Sequence, residues 1–147
     1  MALARRCCSI GEVWLKMRNV DFDDVTIVNR LFDAIERGDA ELLKSLSTQD
    51  CKMWHNYSDV ETAFADMIPK LAAFRDSLAK LRYAERAYIA VPQGAIGTHR
   101  LCASNHDGAR AEIPVAVRMT IEGGRISHIS EYLDPAALAP LMRAPQD

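Results

Sequence analysis

Apolar positions along the chain change period near Leu81, and the change separates a helical first half from a stranded second half. Before it, Val25, Val28, Leu31, Phe32 and Ile35 fall at i, i+3, i+6, i+7 and i+10 behind Asp23 and Asp24, and Gly38 follows. That spacing predicts an amphipathic helix closed by glycine. After Asp39 the run AELLKSL puts Leu42, Leu43 and Leu46 on one side of a second, short helix. Cys51 to Asn56 reads as a short strand leaving these helices. Ser58, with Glu61 three residues on, has the capping-box pattern. It opens a stripe of Phe64, Met67, Ile68, Leu71, Phe74 and Leu78, which predicts the longest element of the fold. Pro69 removes one backbone donor in its middle and predicts a kink.

From Leu81 onward the runs RYAERAYIAV, AIGTHRLCAS, RAEIPVAVRMTI and RISHISEYL alternate as strands do. Their punctuation is Pro92-Gln-Gly94, Asn105-His-Asp-Gly108 and Gly123-Gly124, which predicts an antiparallel meander joined by tight turns. Pro114 has no N–H for a ladder and should lie at an edge or bulge. Asp134-Pro135 reads as an N-cap and first residue of a short terminal helix. Helices first and strands later give an α+β domain whose curved antiparallel sheet wraps around the N-terminal helices as a cone. Such a cone has an inward face on which a small apolar ligand can sit.

Composition narrows the classes. The 147 residues, 49% of them hydrophobic, suit one domain, read here as residues 21–143 between an extension at 1–20 and a tail at 144–147. Eighteen basic against twenty acidic residues leave a net charge of -2 without a long basic run, so no nucleic-acid partner is expected. No apolar stretch approaches the ~20 residues that span a bilayer, so no membrane association is expected either. The N-terminus has Arg5-Arg6 but no apolar run behind them, and no secretory signal is read. Cysteines 7, 8, 51 and 102 lack CxxC spacing, which suggests reduced thiols in a cytoplasm and no zinc site.

The chemistry-bearing residues cluster on strand ends. In Trp54-His55-Asn56-Tyr57, alternation sets Trp54 and Asn56 on one face and Met53 and His55 on the other. With Asn56 toward the interior, His55 points away unless a bulge turns it, and it can equally cap the next helix. His99 has Gly97 and Leu101 as alternation partners, which makes its face the inward one. It suits acid-base work near neutral pH, or a core histidine with a satisfied partner. Glu131 shares a face with Ile129 and Leu133. A carboxylate there is costly to bury unless paired, so it is either a proton-transfer group or a rim residue paired with a surface cation. Trp54, Tyr57, Phe64, Met67 and Ile129 can wall a ring-shaped ligand, although a stripe such as Phe64 and Met67 is equally ordinary core.

Taken together, the helical start, the WHN strand end, the long capped helix, the THRL strand and GGRISHISEYLDPAAL resemble the nuclear transport factor 2-like superfamily in its SnoaL-like branch. The resemblance covers about Asp23 to Leu141 and touches polyketide cyclases, ketosteroid isomerases, scytalone dehydratases and limonene-epoxide hydrolases. It implies a conical barrel with a deep apolar pocket, a homodimer formed through the outer sheet face, a small hydrophobic ligand and no cofactor. Asn56 matches the family's polar position at the end of the first strand. Trp54-His-Asn56 is similar to the aromatic-x-Asn of the epoxide hydrolases, and Glu131-Tyr-Leu-Asp134 to their catalytic last strand with Glu for Asp. Their Arg-x-Asp becomes Arg100-x-Cys102 here, whereas Gly97-Thr-His99 resembles the cyclases. The implied function is cofactor-independent acid-base catalysis by His99, Glu131 and Asn56, with His55 as a further candidate. Its alternatives are a binding or dimerisation module of the same fold and a structural domain whose cone its own side chains fill.

Overall fold

The computed structural model describes residues 23–142; the expected extension and tail lie outside them. Helix α1 (Asp23–Arg37) carries Asp23 and Asp24 in its first turn and buries Val28, Leu31, Phe32 and Ile35 along the predicted stripe. Gly38 adopts φ +68°, the left-handed geometry that ends a helix, and the chain re-enters α2 (Ala40–Leu46) at once. Asp39 Oδ1 accepts from Leu42 N at 3.0 Å and caps it. β1 (Ser47–His55) follows without a loop and starts four residues before the expected strand.

The capping-box expectation at Ser58 fails. Glu61–Ala63 form a short strand, β2, that pairs antiparallel with β1, while the Ser58 hydroxyl turns back to the His55 carbonyl. Helix α3 (Phe64–Asp76) therefore begins at Phe64 behind Ala63, with no side-chain cap. At 13 residues it is shorter than α1, with 15, so it is not the longest helix. Pro69 lies inside a single helix, and Leu78 follows its end on the connection to β3.

The four later strands are β3 (Lys80–Val91), β4 (Gly94–Ser104), β5 (Arg110–Glu122) and β6 (Arg125–Tyr132), a meander as predicted. Gly123 and Gly124, at φ +56° and +76°, supply the two positive angles of a two-residue hairpin turn. Pro92-Gln93 make another, with Gln93 at φ +68°. The Asn105 side chain accepts from Asp107 N and Ala109 N and holds the third. Sheet order is β2-β1-β6-β5-β4-β3. One junction is parallel: β1 lies beside β6, since α2 delivers β1 in the same direction as the last strand. Pro114 stays in register with Arg100 on β4, and β6 ends at Tyr132 opposite Ala116, two residues short of it. The strand is locally an edge there, which tolerates a missing N–H.

The six strands form a curved open sheet whose inner face receives the helices. Met53, Tyr83, Leu101, Ile113, Val115, Val117, Met119 and Ile129 point inward against Phe32, Ile35, Phe64 and Ile68. One irregularity shapes this interior. On β3, Glu85 and Arg86 together oppose His99, and Glu85 takes φ +52°. This bulge lets Tyr83, Arg86 and Tyr88 all face inward, at spacings a regular strand forbids. Arg86 then reaches Asp33 at 2.7 Å and Glu36 at 2.9 Å and clamps α1 onto the sheet. After a short 3-10 turn, Pro135–Leu138, capped by Asp134 as expected, α4 (Ala139–Met142) ends the described chain.

Candidate functional site

The register of β1 reverses the expected orientation of its polar end. Cys51 and Met53 are buried while Asp50 and Lys52 are exposed, so His55 continues the inner face and Trp54 the outer one. His55 Nε2 lies 3.1 Å from Glu131 Oε2, its neighbour on β6, and each side chain is only 13% exposed. A carboxylate this sheltered needs a partner, and His55 is that partner. Tyr57 stands over the imidazole at 5.0 Å between ring centroids and is itself half exposed. Burial and the Glu131 charge hold its phenol above the ordinary range.

Trp54 and Asn56 leave the candidate site. Trp54 donates Nε1–H to Asp59 at 3.0 Å and packs edge-on against Tyr132 at 5.3 Å, on the outer face. Asn56 Oδ1 accepts from Leu133 N at 2.9 Å, and Asn56 N donates to the Glu131 carbonyl. Its role here is to tie the ends of β1 and β6 together, because backbone groups just past the last ladder pair need partners. Met67 packs as partly buried core, whereas Phe64 and Ile129 are buried beneath Glu131.

His99 is 3% exposed and lies among Phe32, Tyr83 and Tyr88, with centroid distances of 4.4, 5.0 and 6.1 Å. Its Nδ1 meets the Tyr88 hydroxyl at 2.9 Å; its Nε2 is buried without a hydrogen-bond partner. Burial lowers its pKa from 6.5 to about 4, the Glu131 charge opposing that shift and Arg86 adding to it. The imidazole is neutral at physiological pH. No hydrogen bond joins it to Glu131, so the expected His99–Glu131 pair is replaced by two pairs, His55–Glu131 and His99–Tyr88. Burial also pushes the Tyr83 and Tyr88 phenols well up, with Glu131 adding to both. Glu131 is the negative charge that all these groups share.

The expected deep pocket is a small cavity. It measures about 20 Å³ and is lined by Leu31, Phe32, Ile35, Met53, Phe64, Leu71, Tyr83, Met119, Ile129 and Glu131. That is room for one water, and the apolar side chains of α1 and α3 fill the rest of the cone. Arg100 and Cys102 lie on the outer face, where Arg100 pairs with Glu85 at 3.1 Å, so the middle-strand relay of an epoxide hydrolase has no counterpart inside the cone. Among the described residues no three His, Cys, Asp or Glu side chains gather to hold a metal ion, and no helix is long and apolar enough to cross a membrane.

Tyr83 and Arg86 were not singled out by the sequence, and Tyr88, whose phenol can donate a hydrogen bond, had no direction fixed by it. Their signal was parity: Tyr83 and Tyr88 are five residues apart, so both can face inward only across a bulge.

No protein-family model and no curated protein matches the chain. Solved structures do. A candidate SnoaL-like polyketide cyclase from Jannaschia sp. superposes with a TM-score of 0.73 at 16% identity, over 87% of this chain and 96% of that one. A nuclear transport factor 2-like protein of Burkholderia xenovorans gives 0.66 at 19%, over 82% and 96%. IdmH, a candidate polyketide cyclase from Streptomyces antibioticus, gives 0.68 at 13%, over 80% and 97%. At such identities the likeness is one of fold.

Proposed function

We propose that this chain, which has the nuclear transport factor 2-like fold, is a cofactor-independent acid-base enzyme acting on a small hydrophobic carbonyl compound. The observation that carries the reading is the His55–Glu131 pair, 3.1 Å apart and sheltered on the inner face of the cone. Glu131 is the proton acceptor, taking a proton from carbon next to the carbonyl. His55 orients it and receives or returns the proton. In the tautomer in which the Tyr88 hydroxyl donates to Nδ1, neutral His99 keeps its buried, unpartnered Nε2–H as a donor for an oxygen that gains charge. Tyr57, half exposed beside His55, supplies an aromatic surface for the substrate. Isomerisation, dehydration and aldol-type cyclisation all begin with such a proton abstraction, and polyketide-cyclase neighbours favour the last. The protein acts as a homodimer through its outer sheet face.

The test is a turnover screen of enolisable ketones and β-keto esters. Glu131→Gln should reduce turnover by about 10²- to 10⁴-fold with thermal unfolding unchanged in character. His55→Gln should cost less, because the carboxylate that accepts the proton remains. Undiminished turnover in Glu131→Gln would remove the assignment.

A second reading is favoured by the size of the cavity. With only about 20 Å³ free, the domain also suits a module that binds a ligand at its mouth without converting it. It predicts binding without turnover, indifferent to replacement of His99 and Glu131.

A further inference from the structure

A shallow groove of about 310 Å³ lies on the outer face of β3, β4 and β5, far along the strands from the His55–Glu131 pair. Register puts Lys80, Ser104 and Arg110 in one cross-strand row, and Arg82, Cys102 and Glu112 in the next. Neighbours within a row are about 5 Å apart. Lys80, Arg82 and Arg110 are exposed, and none has an ion-pair or side-chain hydrogen-bond partner among the described residues. On the same strands, Arg86 and Arg100 are each matched to carboxylates. The Ser104 hydroxyl between Lys80 and Arg110 is likewise without a side-chain bond, and burial holds the Cys102 thiol neutral, so it adds no negative charge.

Lys80 and Arg82 lie two residues apart on β3 and Arg110 faces them from β5 with β4 between, so three cations without ion-pair partners repel one another across one patch of a chain with net charge -2. A bound anion removes that repulsion. Three cations around one hydroxyl suit a tetrahedral dianion better than a planar carboxylate, which a single bidentate Arg satisfies. The volume stands at the lower end of small-molecule sites, about 300–1,000 Å³. We propose that this groove binds the phosphate of a small phosphate monoester. Lys80 and Arg110 flank the phosphate, Ser104 donates to it and Arg82 closes the side nearer Cys102. Glu112 bounds the groove beside Arg110 and repels the anion, which confines it to the Ser104 row.

The test is an amide chemical-shift titration of the isotope-labelled chain with inorganic phosphate near neutral pH, with succinate as a carboxylate control at matched ionic strength. Saturable shifts at Lys80, Ser104 and Arg110, weaker for succinate and reduced by added salt, are expected. The double variant Lys80→Gln/Arg110→Gln should weaken binding by about tenfold or more, and Glu112→Gln should tighten it. Shifts that do not saturate, that persist in the double variant, or that are equal for succinate overturn the proposal. Glu131→Gln leaves this groove intact, so phosphate binding stands or falls separately from turnover.

Discussion

His99 is a buried ionisable group whose charging the fold opposes near neutral pH, and that opposition makes stability depend on pH. In the unfolded chain its imidazole takes up a proton as pH falls through 6.5; in the folded chain it resists until about 4. Stability from this residue is therefore complete above about 6.5 and is lost as pH falls through that window. The two values set a ceiling on the order of 3 kcal/mol. Tyr83, Tyr88, Phe32, Arg86 and Glu131 surround or face the ring, and Glu131, by favouring its charged form, keeps the loss below what burial alone would impose. Urea unfolding near neutral pH and near pH 5 should show a loss in the parent that His99→Gln largely abolishes. An equal loss in both would assign the acid sensitivity elsewhere. Only the facing of two residues was legible at this scale. The inward faces of His99 and Glu131 followed from their apolar alternation partners. The error at Trp54 and Asn56 also had its remedy in the chain: Asp50 and Lys52 are polar at the same parity, and a strand whose polar residues face water carries Trp54 outward with them.

Among the elements, β3 departs most from what a period-two pattern predicts, and its bulge places the aromatic cage. Gly97 on β4 lies two residues before His99, which faces that bulge. It pairs with Tyr88, and a Cβ on it would stand 2.2 Å from the Ala87 carbonyl oxygen and 2.6 Å from the Tyr88 ring. Backbone cannot yield as a flexible side-chain end can, so Gly97→Ala should push β3 away and cost more than about 2 kcal/mol. The variant should also release the Tyr88–His99 contact, visible as a rise in the His99 pKa followed by imidazole resonances. A fully stable variant with an unchanged His99 titration would show that the two strands have slack. Element order and strand limits were largely readable from hydrophobic period and turn residues. β2 was not, because three residues carry no period of their own and are strand only by pairing with β1. Pairing also took Glu61 out of the capping box: its carboxylate meets His128 Nε2 at 2.9 Å across β1, an alternative that local sequence does not reveal.

For the molecule as a whole, fold and interior volume differed in how far the chain disclosed them. The fold follows from the order of elements and the alternation of faces. The free space in the cone is a small remainder after α1 and α3 have filled it, and a remainder of about 20 Å³ depends on many side-chain shapes at once. The outer face is simpler, since its residues only need to be outward in parity. Along β3 and β4 it runs from the cationic groove, past the Arg100–Glu85 pair, to an apolar stretch where Ile89 and Ile96 are 61% and 38% exposed above a groove of about 350 Å³ that Ala87 and Ala116 help to line. Two β-branched residues held open to water on adjacent strands are paired in register and form one patch. A second copy set on that patch would cover it by symmetry, and the cations at the other end of the strands would keep the two copies from sliding over them. Sedimentation equilibrium should accordingly find a dimer, and Ile89→Lys should return it to monomer. Because Ile89 is exposed in the single chain, the melting temperature extrapolated to low concentration should be little changed. A parent that remains monomeric at high concentration, or an Ile89→Lys variant that still dimerises, would place self-association elsewhere on the chain.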